Sequence, residues 1–184
     1  MHNTLVSMFI FSNNHISIAN IDDVPAITKL MNSAYRGESS THGWTTEAHL
    51  IGGDVRTDEA HLLEVIEREK SDVLKYMNDR HEIIGCVNLQ QHGNKIYLGM
   101  LSVSPNLQGA GIGKQLLQAG EEYAHNFKCT SIYMTVITAR TELISWYQRH
   151  GYRDTGDRKP FEEDGLTGNH LQPLEFMVLE KKLS

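Results

Sequence analysis

The sequence is poor in the residues that mark disulfide-linked and metal-binding proteins. It has two cysteines, Cys86 and Cys129, which are too few for a disulfide framework and lack the spacing of a zinc site. Both lie in or beside apolar segments, so we predict buried free thiols, which suit a reducing cytoplasm. The ten histidines are scattered, and none pairs with another at helix spacing beside a carboxylate. No metal site is therefore expected.

Positive charge and long apolar runs are also scarce. Lysine and arginine number 17 against 23 aspartates and glutamates, which gives a net charge of −6. Binding to a nucleic-acid backbone needs clustered basic residues, so we expect no nucleic-acid partner. No apolar run approaches the roughly 18 residues that span a membrane, so we expect no membrane partner and a cytoplasmic location. The start of the sequence lacks the basic region and cleavage site of a signal peptide. Residues 1–14 are interpreted as an N-terminal extension, and an added strand is the alternative.

The order of the periodic segments predicts a single mixed α/β domain over residues 15–184. A capped start at Asp22 and Asp23, followed by Pro25, introduces the first helix. Three short strands separated by turns then predict an antiparallel meander. The predicted strands cover residues 15–19, 73–77, 83–90, 95–103, 131–138 and 174–183, and another begins at residue 152. The predicted helices cover residues 24–34, 57–70, 111–127 and 141–150, another helix begins at residues 45–46, and residues 37–43 and 157–172 are predicted loops.

Three glycines, Gly109, Gly111 and Gly113, lie between a predicted strand and a predicted helix. Free N–H groups at a helix start and the positive end of the helix dipole bind anions, and missing side chains let a phosphate approach. The segment is not a P-loop, because Gln115 stands where Ser or Thr is needed. It is not a Rossmann fingerprint either, because the third glycine would fall at Lys114. We interpret it as an anion-binding loop, and a turn without a ligand is the alternative.

Two runs of the sequence have a spacing that resembles the motifs of a known family. Residues 103–117 contain Gln108, two residues, Gly111, one residue and Gly113, and residues 146–152 read Trp-Tyr-Gln-Arg-His-Gly-Tyr. The first run resembles the central motif of the GNAT superfamily of N-acetyltransferases, and the second resembles the end of a later helix in that superfamily. The resemblance follows the element order over residues 15–183 and is specific over residues 97–152.

The resemblance implies an α/β (α+β) fold with a mixed, mostly antiparallel sheet of six to seven strands and about four to five helices. In that superfamily the strand before the loop bends at a bulge and splays from the next strand, and acetyl-CoA lies in the opening. Backbone N–H groups near Leu101 would stabilise the oxyanion, and Leu101 and Val103 would pair with the pantetheine amides. The predicted CoA-binding residues are Met100, Leu101, Ser102, Val103, Gln108, Gly109, Ala110, Gly111, Ile112, Gly113 and Lys114.

The resemblance also implies catalytic residues. Tyr147 would be the general acid that protonates the leaving thiolate. The superfamily often places a carboxylate or histidine as base on the strand before the loop, but Tyr97 stands at that approximate position. We therefore name Tyr97 and Glu47 as base or water-relay candidates. Arg140 replaces the asparagine that many relatives carry seven residues before the tyrosine, and we predict that it contacts a CoA phosphate or caps Glu142.

The polar and aromatic segment 35–47 borders the acceptor pocket in that fold, so Tyr35, Trp44 and Glu47 are the predicted acceptor residues. A helix cap at residues 45–46 with Trp44 packed beneath it is the alternative. The predicted function is acetyl transfer from acetyl-CoA, the acyl donor, to a primary amine of a small molecule or peptide, without a metal. A CoA-binding regulator without catalysis and a nucleotide-binding module are the alternatives. A homodimer is left open, because no residue specifies one.

Overall fold

Five helices and nine strands occur within residues 9–184, which are the residues that the computed structural model describes. The helices are α1 (Val24–Tyr35), α2 (Gly37–Ser40), α3 (Glu59–Glu67), α4 (Ile112–Asn126) and α5 (Thr141–Arg149). The strands are β1 (Ile16–Ile18), β2 (Ile51–Gly52), β3 (Ser71–Met77), β4 (Ile83–His92), β5 (Lys95–Val103), β6 (Ser131–Ile137), β7 (Arg153–Pro160), β8 (Asn169–His170) and β9 (Glu175–Lys182). Short 3-10 turns at Ile21–Asp23 and Pro105–Leu107 precede α1 and the glycine loop.

Seven of the described strands form one sheet in the order β1-β3-β4-β5-β6-β9-β7, and β2 pairs with β8. Neighbouring strands in the large sheet are antiparallel except β5 and β6, which are parallel. The predicted meander is formed by β3, β4 and β5, each of which pairs with the next along the chain. The prediction of a mixed, mostly antiparallel sheet with about five helices is therefore confirmed.

Two hydrophobic cores lie on opposite faces of the large sheet. Successive side chains of a strand point to opposite faces, so Leu74 packs in the core that contains α4, whereas its neighbour Val73 packs in the core that contains α1 and α3. The same alternation separates Val87 from Cys86. Cys86 and Cys129 are both buried and free, as the sequence predicts.

The helix predicted to begin at residues 45–46 is wrong. Residues 44–50 form turns, interrupted by two residues without regular structure, before β2. The Thr45 hydroxyl donates to the Ala34 carbonyl at 3.3 Å, and the Thr45 carbonyl accepts from Arg140 at 2.5 Å. The Glu47 N–H donates to the Tyr35 carbonyl at 3.0 Å. Tertiary partners thus satisfy backbone groups that a helix would have used, and local propensity is overridden.

The predicted loop boundaries are also wrong in two places. The segment 157–172, predicted as a polar loop, contains the end of β7 and all of β8. β7 pairs with β9 as far as Pro160, and β8 pairs with β2. The predicted loop 37–43 contains the single-turn helix α2. These elements are too short or too exposed for hydrophobic periodicity to reveal them.

The predicted N-terminal extension lies partly outside the described residues, which begin at residue 9. Residues 9–14 form no strand, but Phe11 is 4% exposed and packs in the core that contains α4. The Ser12 N–H donates to a Glu122 carboxylate oxygen at 2.9 Å. These contacts attach the segment to α4, and the domain boundary at residue 15 stays a prediction. Within residues 9–184, every helix is too short or too polar to cross a membrane.

Candidate active site

A bulge in β5 creates an opening at the centre of the sheet. The register between β4 and β5 shifts between Cys86 and Asn88, opposite Met100 and Leu101. Met100 has a left-handed φ of 57°. Pairing between β5 and β6 covers residues 95–97, although β6 continues for four more residues. A bulge bends a strand and interrupts its pairing, so the strand before the glycine loop splays from its neighbour as predicted.

On one side of this opening, a cleft of about 680 Å³ lies between the start of α4 and α5. Gly109 and Gly111 have φ angles of 88° and 86°, a conformation that favours glycine, and Gly111 is the N-cap of α4. A side chain on Gly109 would meet nothing within 4 Å, whereas one on Gly113 would contact the Trp146 ring at 3.4 Å. The start of α4 therefore faces open space without side chains in the way, which is the geometry of an anion site.

The Gln108 side chain was predicted to bind the anion directly, but it forms hydrogen bonds to protein groups instead. Its Oε1 accepts from the Trp44 N–H at 2.9 Å, and its Nε2 donates to Thr45 Oγ1 at 2.7 Å and to the Val103 carbonyl at 3.1 Å. The side chain lines the cleft, but its amide group is engaged by protein partners. Gln108 thus anchors the segment before Glu47 to the end of β5, and its amide group is not free to bind an anion.

Some of the other predicted CoA-binding residues line the cleft, and the rest lie elsewhere. Met100 lines a second cavity on the other side of the opening. Ser102 is 2% exposed, and its hydroxyl donates to the Met100 carbonyl at 3.1 Å. Ala110 lines neither space, and its N–H donates to the Leu107 carbonyl at 3.3 Å. The predicted CoA-binding residues that line the cleft are Leu101, Val103, Gln108, Gly109, Gly111, Ile112, Gly113 and Lys114.

The second cavity, of about 210 Å³, meets the cleft at a shared wall. Tyr35, Leu101, Leu143 and Tyr147 line both spaces. The Tyr35 hydroxyl donates to the Leu101 carbonyl, which attaches the end of α1 to the bulge. Burial, and then the neighbouring Tyr35, raise the pKa of Tyr147 well above its usual value, while Arg140 opposes this. Tyr147 is therefore protonated at neutral pH and can donate to a group in either space.

Glu47 lies in the second cavity between two arginines. Arg36 Nη1 donates to its Oε2 at 2.5 Å and Arg140 Nη1 to its Oε1 at 2.7 Å, and the three side chains are at most 8% exposed. Burial alone would raise the pKa of Glu47, but Arg140, Arg56 and Arg36 outweigh it and hold this pKa below its usual range. A carboxylate held as an anion by two guanidinium groups is a weak base, so the structure argues against the predicted base role.

Two predicted site residues have exchanged spaces: the one predicted for the CoA side lines the second cavity, and the one predicted for the acceptor side lines the cleft. Arg140 was predicted to contact a CoA phosphate or cap Glu142, but its guanidinium group is bound to Glu47 and to the Thr45 carbonyl and lines the second cavity. Trp44 was predicted to contact the acceptor, but it lines the cleft, where its ring centroid lies 6.1 Å from that of Trp146. The Gln108 contact to the Trp44 backbone explains this position.

Tyr97 remains a relay candidate by position. It lines the second cavity, and its hydroxyl lies 3.3 Å from Thr135 Oγ1. Its ring packs against those of Tyr133 and His92, with centroid distances of 5.4 and 6.1 Å. His92 Nδ1 in turn lies 2.5 Å from the Tyr133 hydroxyl. The predicted acceptor residues Tyr35 and Glu47 share the cavity with Tyr97.

Several residues of the site were missed by sequence reasoning. Arg36 is buried and donates to Glu47 and to the Thr167 carbonyl. Arg56 lines the second cavity, and its backbone N–H donates to Asn32 Oδ1 at 2.6 Å. No local pattern links these positions, because they are distant in sequence. Trp146 could have been found, since it directly precedes Tyr147. Among residues 9–184, no group of three or more His, Cys, Asp or Glu could hold a metal ion.

Comparisons with known proteins agree with this geometry. The model of the acetyltransferase (GNAT) family matches residues 26–152. The uncharacterised protein YdhI of Bacillus subtilis (strain 168) is 29% identical over 112 residues, which are 61% of this chain and 62% of YdhI. The spermine/spermidine N(1)-acetyltransferase of the same strain is 30% identical over 64 residues, 34% of this chain and 42% of that protein. The chain thus spans less than two thirds of these relatives.

A solved structure shows the same fold over nearly the whole chain. The ribosomal-protein-alanine N-acetyltransferase from Brucella melitensis superposes with a TM-score of 0.67 at 20% sequence identity, over 91% of this chain and 99% of that one. At this identity the likeness concerns the fold alone. The acceptor of that enzyme therefore says nothing of the acceptor of this chain, which depends on the residues of this chain.

Proposed function

The chain belongs to the acetyltransferase (GNAT) family, and on this premise we propose that it is an N-acetyltransferase. It transfers an acetyl group from acetyl-CoA to a primary amine of a small molecule or peptide by direct attack. The observation that carries this proposal is the shared wall of the two spaces, where Tyr147 and the Leu101 backbone border both the glycine-lined cleft and the second cavity. A donor in the cleft and an acceptor in the second cavity would meet there.

The cleft suits a CoA thioester, which supplies the acetyl group in activated form. The glycine backbone from Gly109 to Gly113, at the start of α4, would hold the pyrophosphate, and Lys114 adds a positive charge at the same wall. The thioester would then extend toward the β5 bulge, where the Leu101 N–H would stabilise the oxyanion. The Leu101 and Val103 carbonyls already accept from Tyr35 and Gln108, so any pairing with pantetheine uses their second lone pairs.

The ammonium form of the amine must lose two protons, and the sulfur must gain one. A free alkylamine has a pKa of about 10.4, so the first proton must leave before the nitrogen forms the C–N bond. Tyr97 and Thr135, through water, are the proposed route for this proton to solvent, because Glu47 is too weak a base. As the C–S bond breaks, Tyr147 donates a hydrogen bond and then its proton to the sulfur. The second proton leaves the nitrogen once the C–N bond has formed, and it restores the Tyr147 hydroxyl. The products are the acetylated amine and the free CoA thiol.

The test is thiol release from acetyl-CoA with a broad panel of primary amines. We expect at least one amine to release thiol and to gain an acetyl group by mass spectrometry. Saturable acetyl-CoA binding without thiol release from any amine would favour the alternative, a CoA-binding regulator. Thermal stabilisation by ATP or NAD but not by CoA would contradict both. We propose that this activity takes place in the cytoplasm, because the two buried cysteines are free thiols, which suit a reducing compartment.

A further inference from the structure

A third space, of about 180 Å³, lies beside α3 and shares the lining residues Arg56, Tyr97, Gly99 and Met100 with the second cavity. These two neighbouring spaces are here called the acceptor space. Arg56 and Tyr147 both line the second cavity, so a small molecule whose amine lies at Tyr147 would have its other end near Arg56.

Charge in the acceptor space is unevenly distributed. Glu47 is the one carboxylate among its described lining residues, and two guanidinium groups already bind it. Arg56, in contrast, forms no ion pair within residues 9–184. Arg68 lines the far end of the space. The acceptor space thus has an excess of positive charge, and its negative charge is neutralised before any ligand enters.

Arg56 is held in position for a ligand. Its backbone N–H and that of Thr57 donate to Asn32 Oδ1 at 2.6 and 3.0 Å, which fixes the segment to α1. Its guanidinium carbon lies 5.9 Å from the centroid of the Tyr35 ring, within the range of a cation–π contact. None of the hydrogen bonds within residues 9–184 uses an Arg56 side-chain donor, so its guanidinium N–H groups are available for a planar anion such as a carboxylate.

We propose that the acceptor is a small amino-acid-like molecule with a primary amine and a carboxylate, and that Arg56 binds the carboxylate. This inference rests on the proposed N-acetyltransferase function and adds the class of acceptor. A polyamine fits the space poorly, because a cation there would face Arg56 and Arg68 and would have to compete with Arg36 and Arg140 for Glu47. The acceptor class thus differs from the one in the name of the Bacillus subtilis spermine/spermidine relative.

The test measures binding, so that it does not depend on turnover. The protein loaded with CoA is titrated by calorimetry with the L-amino acids, with the matching L-amino-acid amides, and with spermidine. We expect at least one acid to bind about 10-fold or more tightly than its amide, since a hydrogen-bonded charge pair has that effect. Arg56→Gln should remove this preference, and Arg56→Lys should restore only part of it.

The control is Arg80→Gln, because Arg80 is an exposed arginine in the β3–β4 turn, outside the acceptor space. It should leave the preference for the acid intact. If no acid binds better than its amide, if spermidine binds best, or if Arg56→Gln keeps the preference, the inference is overturned, whether or not thiol release is observed. Preferential acid binding without thiol release would support the anion site while contradicting the proposed catalytic function.

Discussion

Replacing Glu47 by glutamine tests the charge network behind the acceptor space. Glutamine keeps the size of the side chain but removes its charge. Arg36 and Arg140 remain charged, because guanidinium groups do not lose a proton in proteins. Their side chains are 0% and 8% exposed, so bulk water solvates them poorly once the carboxylate is gone. Each keeps some hydrogen bonds to backbone carbonyls, but their mutual repulsion is no longer compensated.

The expected loss follows from the cost of leaving a buried charge unpaired. Removal of one partner of a buried ion pair destabilises a protein by about 3–5 kcal/mol. For a domain of this size, 1 kcal/mol lowers Tm by about 2–4 °C, so Glu47→Gln should lower Tm by about 6–20 °C at pH 7. The double variant Glu47→Gln/Arg140→Met should lower Tm by less than the sum of the effects of the two single variants, because it also removes one of the two repelling charges.

The effect should depend on pH in one direction. The pKa of Glu47 is lowered in the folded protein, so its stabilising contribution is fully present above the unfolded pKa of about 4.3. It is lost as pH falls through the lower folded pKa. The Tm gap between wild type and Glu47→Gln should therefore narrow only below about pH 4.

Calorimetry or thermal-shift melting from pH 3.5 to 8 measures this gap. Glu64→Gln, at an exposed position of α3, is the matched control and should change Tm by less than about 2 °C at every pH. A Glu47→Gln protein that melts within about 2 °C of wild type at pH 7 would refute the reasoning, because the buried carboxylate would then contribute no more than an exposed one.

Three further predictions concern catalysis and the donor side. Tyr147→Phe should reduce the rate of thiol release by about 100-fold or more and leave the Kd for acetyl-CoA unchanged in calorimetry; an equal loss of binding would contradict the general-acid role. Gly109→Ala and Gly156→Ala add similar strain, since these glycines have φ angles of 88° and 90° and open space around them. Their Tm values should fall alike, but only Gly109→Ala should weaken CoA binding. Gln108→Glu should lower stability by about 1–3 kcal/mol in urea unfolding, because a carboxylate oxygen would face the Val103 carbonyl; unchanged stability would show that the Gln108 contacts are not structural.

The fold was predictable where local chemistry and burial agree. The meander was predicted because turn residues at Asn78 and Gly93 separate alternating apolar strands, and both strands of each hairpin are close in sequence. The segment around Thr45 was not predictable, because its partners Ala34, Gln108 and Arg140 come from distant parts of the chain. Local propensity favours a helix there, and tertiary hydrogen bonds decide against it.

The predicted anion-binding loop could be found in the sequence alone. Gly109, Gly111 and Gly113 would act through their own backbone at a helix start, so the residues concerned are consecutive. The surroundings of Glu47 and Arg56, in contrast, depend on contacts between segments that folding brings together. In the sequence, a glutamate that acts as a base cannot be told from one that serves as a structural anion. Burial between Arg36 and Arg140 makes Glu47 a structural anion. Arg56 supports the proposed anionic acceptor because folding brings it beside Tyr35 and leaves it without an ion pair in the described chain, although its charge still acts on Glu47 at longer range.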